Sequence, residues 1–223
     1  MKLSKRLSAL AKLVDINSIT IDIGSDHALL PIYLVINNIS KKAYAVDNKV
    51  GPLNRAKDNI NKYDVIDKVI PILSDGFNSI KEENFDTVTI SGMGGDLIVE
   101  ILSNPLFKND KTLILAGNND YNLIIEYLVG HNYQIVDEVI VYEDNIYYFI
   151  IKAKPTNSRL DLSNLEIEYG PINIKRKDEL LIQFLNRKID ILNDGLSKSK
   201  DNKELLSKIT NLKEALDEIR NNN

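Results

Sequence analysis

Short apolar runs with β-propensity alternate with segments of helical spacing through the first two thirds of the chain. Five such runs begin at Ser18, Lys42, Val69, Phe85 and Thr112. This alternation predicts βαβ units and a parallel sheet. Two further β-rich runs, 133–142 and 146–153, flank Glu143-Asp144-Asn145 and predict an antiparallel hairpin. We therefore expect an α/β fold with a mostly parallel, Rossmann-like sheet that closes in this hairpin.

The composition changes after Pro155-Thr156-Asn157-Ser158, where we expect a domain boundary. Beyond it, two series of apolar residues recur at steps of three and four, as in the seam of a coiled coil. The series are Leu181, Leu185, Ile189, Leu192 and Leu196, and Leu205, Ile209, Leu212, Leu216 and Ile219. Gly195 and the polar run 197–202 separate them, which predicts a coiled-coil-like helical hairpin. The expected domains are 1–155 and 156–223. The seams could pair within one chain or between two, so a monomer is compatible with the sequence.

Cysteine is absent, and only two histidines occur among the 223 residues. This composition excludes a disulfide scaffold, a cysteine-based zinc site, an iron–sulfur cluster and a thiol nucleophile. It also disfavours a multi-histidine site, so no metal is expected. No run approaches 18 consecutive apolar residues, and no apolar segment like that of a signal peptide follows the basic N-terminus. The sequence therefore predicts a cytoplasmic protein with no membrane span.

The turn after the first strand reads Asp22-Ile23-Gly24-Ser25-Asp26-His27-Ala28. A ligand at such a turn meets free backbone N–H groups and little side-chain bulk. Because Gly24 is the only glycine there, the turn lacks the room that a dinucleotide pyrophosphate needs. Asp26 adds negative charge, which favours a ligand with a positive centre such as S-adenosylmethionine. We expect Asp22, Gly24, Ser25 and His27 to bind it, although His27 could also cap or pack the helix.

Further candidate residues follow the next three strands. Asp47 lies where a carboxylate can accept hydrogen bonds from two ribose hydroxyls, and Asn48 follows it. Asp75 ends the third strand, next to Gly76, and is placed to meet an adenine amino group. Gly92-Met93-Gly94-Gly95 follows the fourth strand, where a methyl acceptor would approach. A single aspartate at a strand end is more often a helix cap, but aspartates after three consecutive strands predict a ligand site. That site includes Gly92, Met93 and Gly94.

Several motifs together resemble the bacterial tRNA (adenine(22)-N1)-methyltransferases, which are class I methyltransferases. The shared segments are Leu3-x-x-Arg6-Leu7, Asp22 to Ala28 with Leu30-Pro31, Gly51-Pro52-Leu53, Asp75-Gly76, Gly92 to Gly95, and Glu168-Tyr169-Gly170-Pro171. The resemblance covers nearly the whole chain and implies S-adenosylmethionine as cofactor and tRNA as partner. A closing antiparallel hairpin is also typical of class I methyltransferases. The chain departs from the family at Ala116-Gly117-Asn118, where Gln-Pro-Asn is frequent, so only Asn118 carries over.

The resemblance implies methylation of N1 of adenine 22 in tRNA. Because N1 has an in-plane lone pair, a general base is not obligatory. We expect Asp26 to stabilise the positive charge that develops on the base. Either Asn118 or a main-chain carbonyl near Gly92 is expected to accept a hydrogen bond from the adenine N6 amino group. The adenine must leave its stack to react, and the candidates to stack on it are Met93 and Tyr33. Tyr147 and Tyr148 are expected to pack within the hairpin.

Clusters of lysine and arginine are expected to contact tRNA phosphates. The predicted contacts are Lys2, Lys5, Arg6 and Lys12 near the N-terminus, and Lys175, Arg176 and Lys177 before the helical hairpin. The alternative for each cluster is a solvated charged face. The net charge of −4 does not oppose RNA binding, because residues 156–223 hold 12 Lys+Arg and 12 Asp+Glu. The remaining 16 Lys+Arg and 20 Asp+Glu lie in residues 1–155, where several of the acidic residues belong to the predicted cofactor site.

Three other functions stay open. The first is a class I methyltransferase that acts on another RNA or on a small molecule. The second is a tRNA-binding adaptor without catalysis, against which the aspartates after the first three strands argue. The third is an NAD-dependent oxidoreductase, which the missing glycines and the closing hairpin disfavour, because dinucleotide dehydrogenases usually continue with a sixth parallel strand.

Overall fold

The computed structural model describes residues 1–80, 84–158, 160–198 and 202–221. They form two compact units, Met1–Asp161 and Leu162–Asn223. The composition places the boundary a few residues earlier, after Pro155. Residues 199–201 of the predicted polar linker lie outside the described residues.

A seven-stranded sheet in the order β3-β2-β1-β4-β5-β7-β6 forms the centre of the first unit. Its strands are β1 (Ser18–Ile23), β2 (Ser40–Asp47), β3 (Val69–Leu73), β4 (Thr87–Met93), β5 (Thr112–Gly117), β6 (Tyr133–Glu143) and β7 (Ile146–Pro155). The pairs among β1 to β5 are parallel, whereas β7 runs antiparallel to both β5 and β6. The predicted fold class is therefore confirmed. The strand order reverses between β1 and β4, and open α/β sheets bind ligands at such a point.

Five helices of this unit cover the sheet. They are α1 (Lys5–Leu13), α2 (Leu29–Ile36), α3 (Val50–Lys62), α4 (Gly95–Leu102) and α5 (Tyr121–Gly130). Right-handed crossovers run in opposite directions from β1 and β4, so α2 and α3 cover one face and α4 and α5 the other. The helix α1 packs with α2 on buried residues of β5 and β7, among them Ile114 and Ile150. These crossovers bring the carboxyl ends of the parallel strands to one open edge.

The chain does not pass directly from β1 into the helix α2. Asp26–Ala28 forms a 3-10 turn, and α2 begins only at Leu29. His27 and Ala28 have φ angles of 62° and 54° in the left-handed region, which an α-helix cannot include. The turn therefore keeps the backbone after β1 at the sheet edge before the chain enters the helix.

The second unit consists of α6 (Asn164–Tyr169), α7 (Pro171–Lys175), α8 (Glu179–Lys198) and α9 (Lys203–Asn221). The long helices α8 and α9 pack against each other, and the short connection between them requires an antiparallel hairpin. Leu181, Leu185 and Ile219 of the predicted seams are fully buried. One expectation is corrected, because Gly195 lies inside α8 and does not separate the two helices. A glycine in a helix costs only about 1 kcal/mol, which seam packing offsets.

No helix in the described part of the chain has the length and apolar character required to cross a membrane.

Candidate active site

The backbone after β1 is bound to the end of the neighbouring strand. The N–H groups of Gly24 and Ser25 both donate to the carbonyl oxygen of Val46, at 2.9 and 2.8 Å. Gly24 has a φ of 74°, and a Cβ atom built there would lie 2.1 Å from Cε of Met93. The left-handed backbone therefore favours glycine at this position, and a larger residue would also displace the end of the flexible Met93 side chain.

A cavity of about 310 Å³ lies at the carboxyl ends of β1, β2, β3 and β4. Its lining includes seven predicted site residues, which are Gly24, Asp26, Asp47, Asn48, Asp75, Gly76 and Met93. It also includes seven residues that were not predicted to bind a ligand, which are Ile23, Lys49, Pro52, Arg55, Ser74, Leu97 and Ile101. The volume falls within the range of roughly 300–1,000 Å³ that is usual for small-molecule sites.

Hydrogen bonds connect the polar ends of β2 and β3. Asp47 Oδ1 accepts from the N–H of Lys49 at 2.9 Å, and the N–H of Ser74 donates to the Asp47 carbonyl at 3.0 Å. Asn48 Nδ2 lies 3.4 Å from Asp75 Oδ1. The carboxylates of Asp47 and Asp75 are thus held at the two strand ends, with acceptor oxygens beside the cavity.

Charged residues of both signs border the mouth of the cavity. Asp26 Oδ1 lies 3.3 Å from His27 Nε2 and 3.6 Å from Arg55 Nη2. The side chains of Asp26 and Arg55 are 65% and 53% exposed, so solvent screens this pair strongly. Arg55 belongs to α3, and Lys49 is the residue before that helix. Helical spacing alone does not indicate which side chains of α3 face the mouth of the cavity.

Five predicted cofactor residues lie outside the cavity lining: Asp22, Ser25, His27, Gly92 and Gly94. Asp22 is buried within β1 and accepts a hydrogen bond of 2.6 Å from the hydroxyl of Thr89. Burial raises the pKa of Asp22 to about 6, and the hydroxyls of Ser25 and Thr89 and the charge of Arg6 oppose part of that rise. Asp22 is therefore a buried residue of β1 that is hydrogen-bonded to β4, outside the cavity lining.

The ends of β4 and β5 lie side by side in the sheet, and β7 of the hairpin pairs with β5. Met93 lines the cavity, and its carbonyl oxygen accepts from the N–H of Asn118 at 2.8 Å. Asn118 is exposed, so its side-chain amide is available at this edge. Gly92 has a φ of 83°, and a Cβ atom built on it would lie 3.2 Å from Nη1 of Arg6. Gly94 caps the N-terminus of α4.

The predicted RNA-contacting residues are divided between the two units, and those of the first unit lie at both ends of α1. Lys2 and Lys5 are exposed at the start of α1, whereas Lys12 is exposed at the other end of that helix. Arg6 is half-buried, and its guanidinium carbon lies 5.0 Å from the centre of the Tyr148 ring. In the second unit, Lys175, Arg176 and Lys177 are exposed at the end of α7, where Lys177 Nζ donates to the carbonyl of Arg220 at 3.1 Å. Among the described residues, no group of three or more His, Cys, Asp or Glu side chains could hold a metal ion.

Comparison with known proteins agrees with this arrangement. Residues 3–151 match the model of a methyltransferase domain. The tRNA (adenine(22)-N(1))-methyltransferase of Bacillus subtilis strain 168 is 30% identical to the chain, over 98% of this chain and 97% of that protein. The chain belongs to the tRNA (adenine(22)-N(1))-methyltransferase family. The resemblance inferred from the sequence motifs is thereby confirmed.

Solved structures of this family match over nearly their whole length. The TrmK of M. capricolum, in complex with S-adenosyl-homocysteine, is 36% identical and covers 99% of this chain and 100% of its own, with a TM-score of 0.87. The Streptococcus pneumoniae protein Sp1610, in complex with S-adenosyl-L-methionine, is 31% identical, with coverages of 96% and 100% and a TM-score of 0.86. The methyltransferase-domain model ends at residue 151, whereas these relatives extend over the second unit as well. The helical unit is therefore a feature of this family rather than of the methyltransferase domain in general.

Proposed function

We propose that this protein transfers a methyl group from S-adenosylmethionine to N1 of adenine 22 in tRNA. The observation that carries the proposal is the set of carboxylates at the ends of β2 and β3, beside a glycine turn after β1, in a chain of this family. The three elements surround one cavity, and acceptor groups for the ribose, the adenine amino group and the positive charge of that cofactor line it.

The residues that line the cavity fit S-adenosylmethionine. Asp47 offers two oxygens for the ribose hydroxyls, and Asp75 offers an acceptor for the adenine amino group. Gly24 has no side chain, and Met93 packs against its backbone where both residues line the cavity. Asp26 supplies negative charge at the mouth, where a sulfonium and an ammonium group would gain from it. When bound, this cofactor supplies an electrophilic methyl carbon on a positively charged sulfur.

Residues at the carboxyl edge then orient the acceptor. The lone pair of adenine N1 forms the new bond to carbon as the carbon–sulfur bond breaks and the sulfur keeps its electron pair. Positive charge moves from sulfur to the base, so no proton has to leave before attack. Asp26 stabilises the charge on the base, and Asn118 accepts a hydrogen bond from N6. Most of the acceleration comes from holding N1 in line with the methyl carbon.

The tRNA is bound through phosphate contacts with local clusters of positive charge. Lys2 and Lys5 lie exposed at the start of α1, and Lys175, Arg176 and Lys177 are exposed in the second unit. Such contacts fix the position of the RNA and make its affinity sensitive to salt. As a tRNA-modifying enzyme, the protein acts in the cytoplasm, where its substrate is found.

A direct test uses unmodified tRNA transcripts and labelled S-adenosylmethionine, followed by mapping of the modified base. We expect one methyl group on N1 of adenine 22, and none on a transcript with guanosine at that position. Label at another nucleotide or on a small molecule would favour a different methyltransferase substrate. Binding of both cofactor and tRNA without any transfer would instead favour the adaptor function.

A further inference from the structure

The start of α1 is fixed to the closing hairpin. Both carboxylate oxygens of Glu143, the last residue of β6, accept backbone hydrogen bonds from α1, at 2.6 Å from the N–H of Lys5 and 3.2 Å from the N–H of Arg6. The N–H of Lys5 is the first cause that holds the pKa of Glu143 below its ordinary value. Ser4 caps the same turn by accepting from the N–H of Leu7. The backbone of Arg6 therefore has a fixed position at the sheet edge.

The side chain of Arg6 points inward from this fixed turn. Its guanidinium carbon lies 5.0 Å from the ring centre of Tyr148 in β7, and its Nη1 approaches Gly92 at the end of β4. Tyr148 in turn packs against the apolar cluster beneath α1 and α2. Both Arg6 and Tyr148 are half-buried, so each still has surface that a ligand can reach. Gly92 is followed by Met93, which lines the cavity.

We propose that Arg6 is a substrate-positioning residue whose guanidinium plane, supported by the Tyr148 ring, forms the surface on which the target adenine stacks. This inference rests on the proposed function. RNA bases that have left their helix are commonly stacked on aromatic rings or on arginine guanidinium planes. The platform lies beside Met93 and the Asn118 backbone, at the edge where the acceptor enters.

The geometry favours stacking over the phosphate contact that the basic cluster first indicates. A phosphate contact is served by an exposed cation, and Lys2 and Lys5 are exposed on the same segment. Arg6 is half-buried, and a tyrosine ring supports it from below. Because a lysine ammonium group carries the same charge without the plane, arginine and lysine differ at a stacked site.

The test compares Arg6→Lys, Arg6→Ala, Tyr148→Phe and Tyr148→Leu in the full-length protein, with Lys5→Ala as a matched control on the same helical turn. Each variant is assayed for methylation of the unmodified tRNA, for binding of S-adenosyl-homocysteine by calorimetry, and for thermal unfolding. Binding is also measured to two tRNAs, one intact and one with an abasic site at position 22. The intact and abasic tRNAs carry the same phosphates, so they separate base contacts from phosphate contacts.

We expect Arg6→Lys to lower kcat/KM for tRNA on the order of tenfold, while S-adenosyl-homocysteine binding and thermal stability stay unchanged. Tyr148→Phe keeps the ring and should resemble the wild type, whereas Tyr148→Leu should resemble Arg6→Lys. Arg6→Ala should weaken binding of the intact tRNA and leave binding of the abasic tRNA unchanged. Lys5→Ala should weaken the binding of both tRNAs equally and reduce the salt dependence of that binding.

Wild-type activity in Arg6→Lys would contradict the stacking role of Arg6, because a positive charge alone would then be sufficient. Equal loss of binding by Arg6→Ala for intact and abasic tRNA would assign Arg6 to a phosphate. A wild-type protein that binds intact and abasic tRNA equally would also overturn it. Failure of the proposed function has a different signature, namely that the wild-type protein places no methyl group on adenine 22.

Discussion

The two sides of the active site are built in different ways. On the cofactor side, each polar residue directly follows a strand, and consecutive parallel strands bring Gly24, Asp47 and Asp75 to one cavity. On the acceptor side, Arg6, Gly92 and Tyr148 come from α1, β4 and β7, which lie far apart in the chain. The cofactor side therefore depends on local strand-to-helix turns, and the acceptor side on the long-range packing of α1 against the hairpin. Substitutions should be able to damage either side without the other.

The largest expected effect is on the cofactor side. Asp47→Ala removes both acceptors for the ribose, and each such charge-assisted hydrogen bond contributes about 1.5–3 kcal/mol. We expect binding of S-adenosyl-homocysteine to weaken on the order of 100-fold by calorimetry. Binding of tRNA without cofactor should stay unchanged, as should all properties of Asp58→Ala, a control on the exposed face of α3. A parallel loss of tRNA affinity would show that the two sides are coupled.

Asp22 is buried in β1 and lines neither side of the active site. Its ionisation should make the stability of the protein depend on pH. Burial raises its pKa from 3.8 to about 6, so the stabilisation from the protonated form is complete below 3.8 and is lost as the pH rises through 6. Asparagine at this position carries no charge and still accepts from Thr89. We expect Asp22→Asn to match the wild type near pH 4 and to be more stable by on the order of 2 kcal/mol near pH 8.

Denaturant unfolding of the wild type and Asp22→Asn across this pH range measures the difference directly. Titrating groups that do not interact with Asp22 contribute equally to both proteins, so they cancel in the comparison, whereas the charges of Arg6 and Asp47 act on Asp22 itself. A difference in unfolding free energy that does not change with pH would contradict the buried, raised-pKa carboxylate.

Gly24→Ala tests the local turn on the cofactor side. The φ of 74° costs an alanine about 1–2 kcal/mol, and its Cβ would displace the Met93 side chain. We expect a loss of that size in unfolding free energy, together with weaker binding of S-adenosyl-homocysteine. The matched control is Gly130→Ala at the end of α5, where a Cβ atom meets nothing within 4 Å. That variant should be as stable as the wild type or slightly more stable. Equal effects at both positions would contradict the requirement for glycine at 24.

The smallest effect is expected at Asp26, on the border between the two sides. Its carboxylate is mostly exposed and lies beside the guanidinium group of Arg55, so its attraction for the positive charge of a ligand is screened. We expect Asp26→Asn to weaken the binding of S-adenosylmethionine about threefold more than the binding of S-adenosyl-homocysteine, since only the former carries the sulfonium charge. Added salt should reduce this selectivity. Equal weakening of both ligands would remove Asp26 from the electrostatic role.

Much of the fold could be predicted because its signals are local. The strands β1 and β3 begin at the predicted residues, and the hairpin of β6 and β7 lies where Glu143-Asp144-Asn145 indicated it. One prediction failed because packing overrode a local rule: Gly195 was expected to separate the two long helices but lies inside α8, which seam packing stabilises. The left-handed backbone angles of His27 and Ala28 had no signal in the sequence.

The sequence by itself determined the parallel sheet, the position of the ligand edge, and the acids at the ends of β2 and β3. Alternation of strands and helices dictates that parallel strands end together, so the residue after each strand is known from the pattern alone. Only the tertiary structure decided that Asp22 faces inward, that α3 supplies Arg55, and that Arg6 lies on Tyr148 beside Gly92. These contacts join elements that are distant in the chain, and their geometry depends on how the helices pack on the sheet.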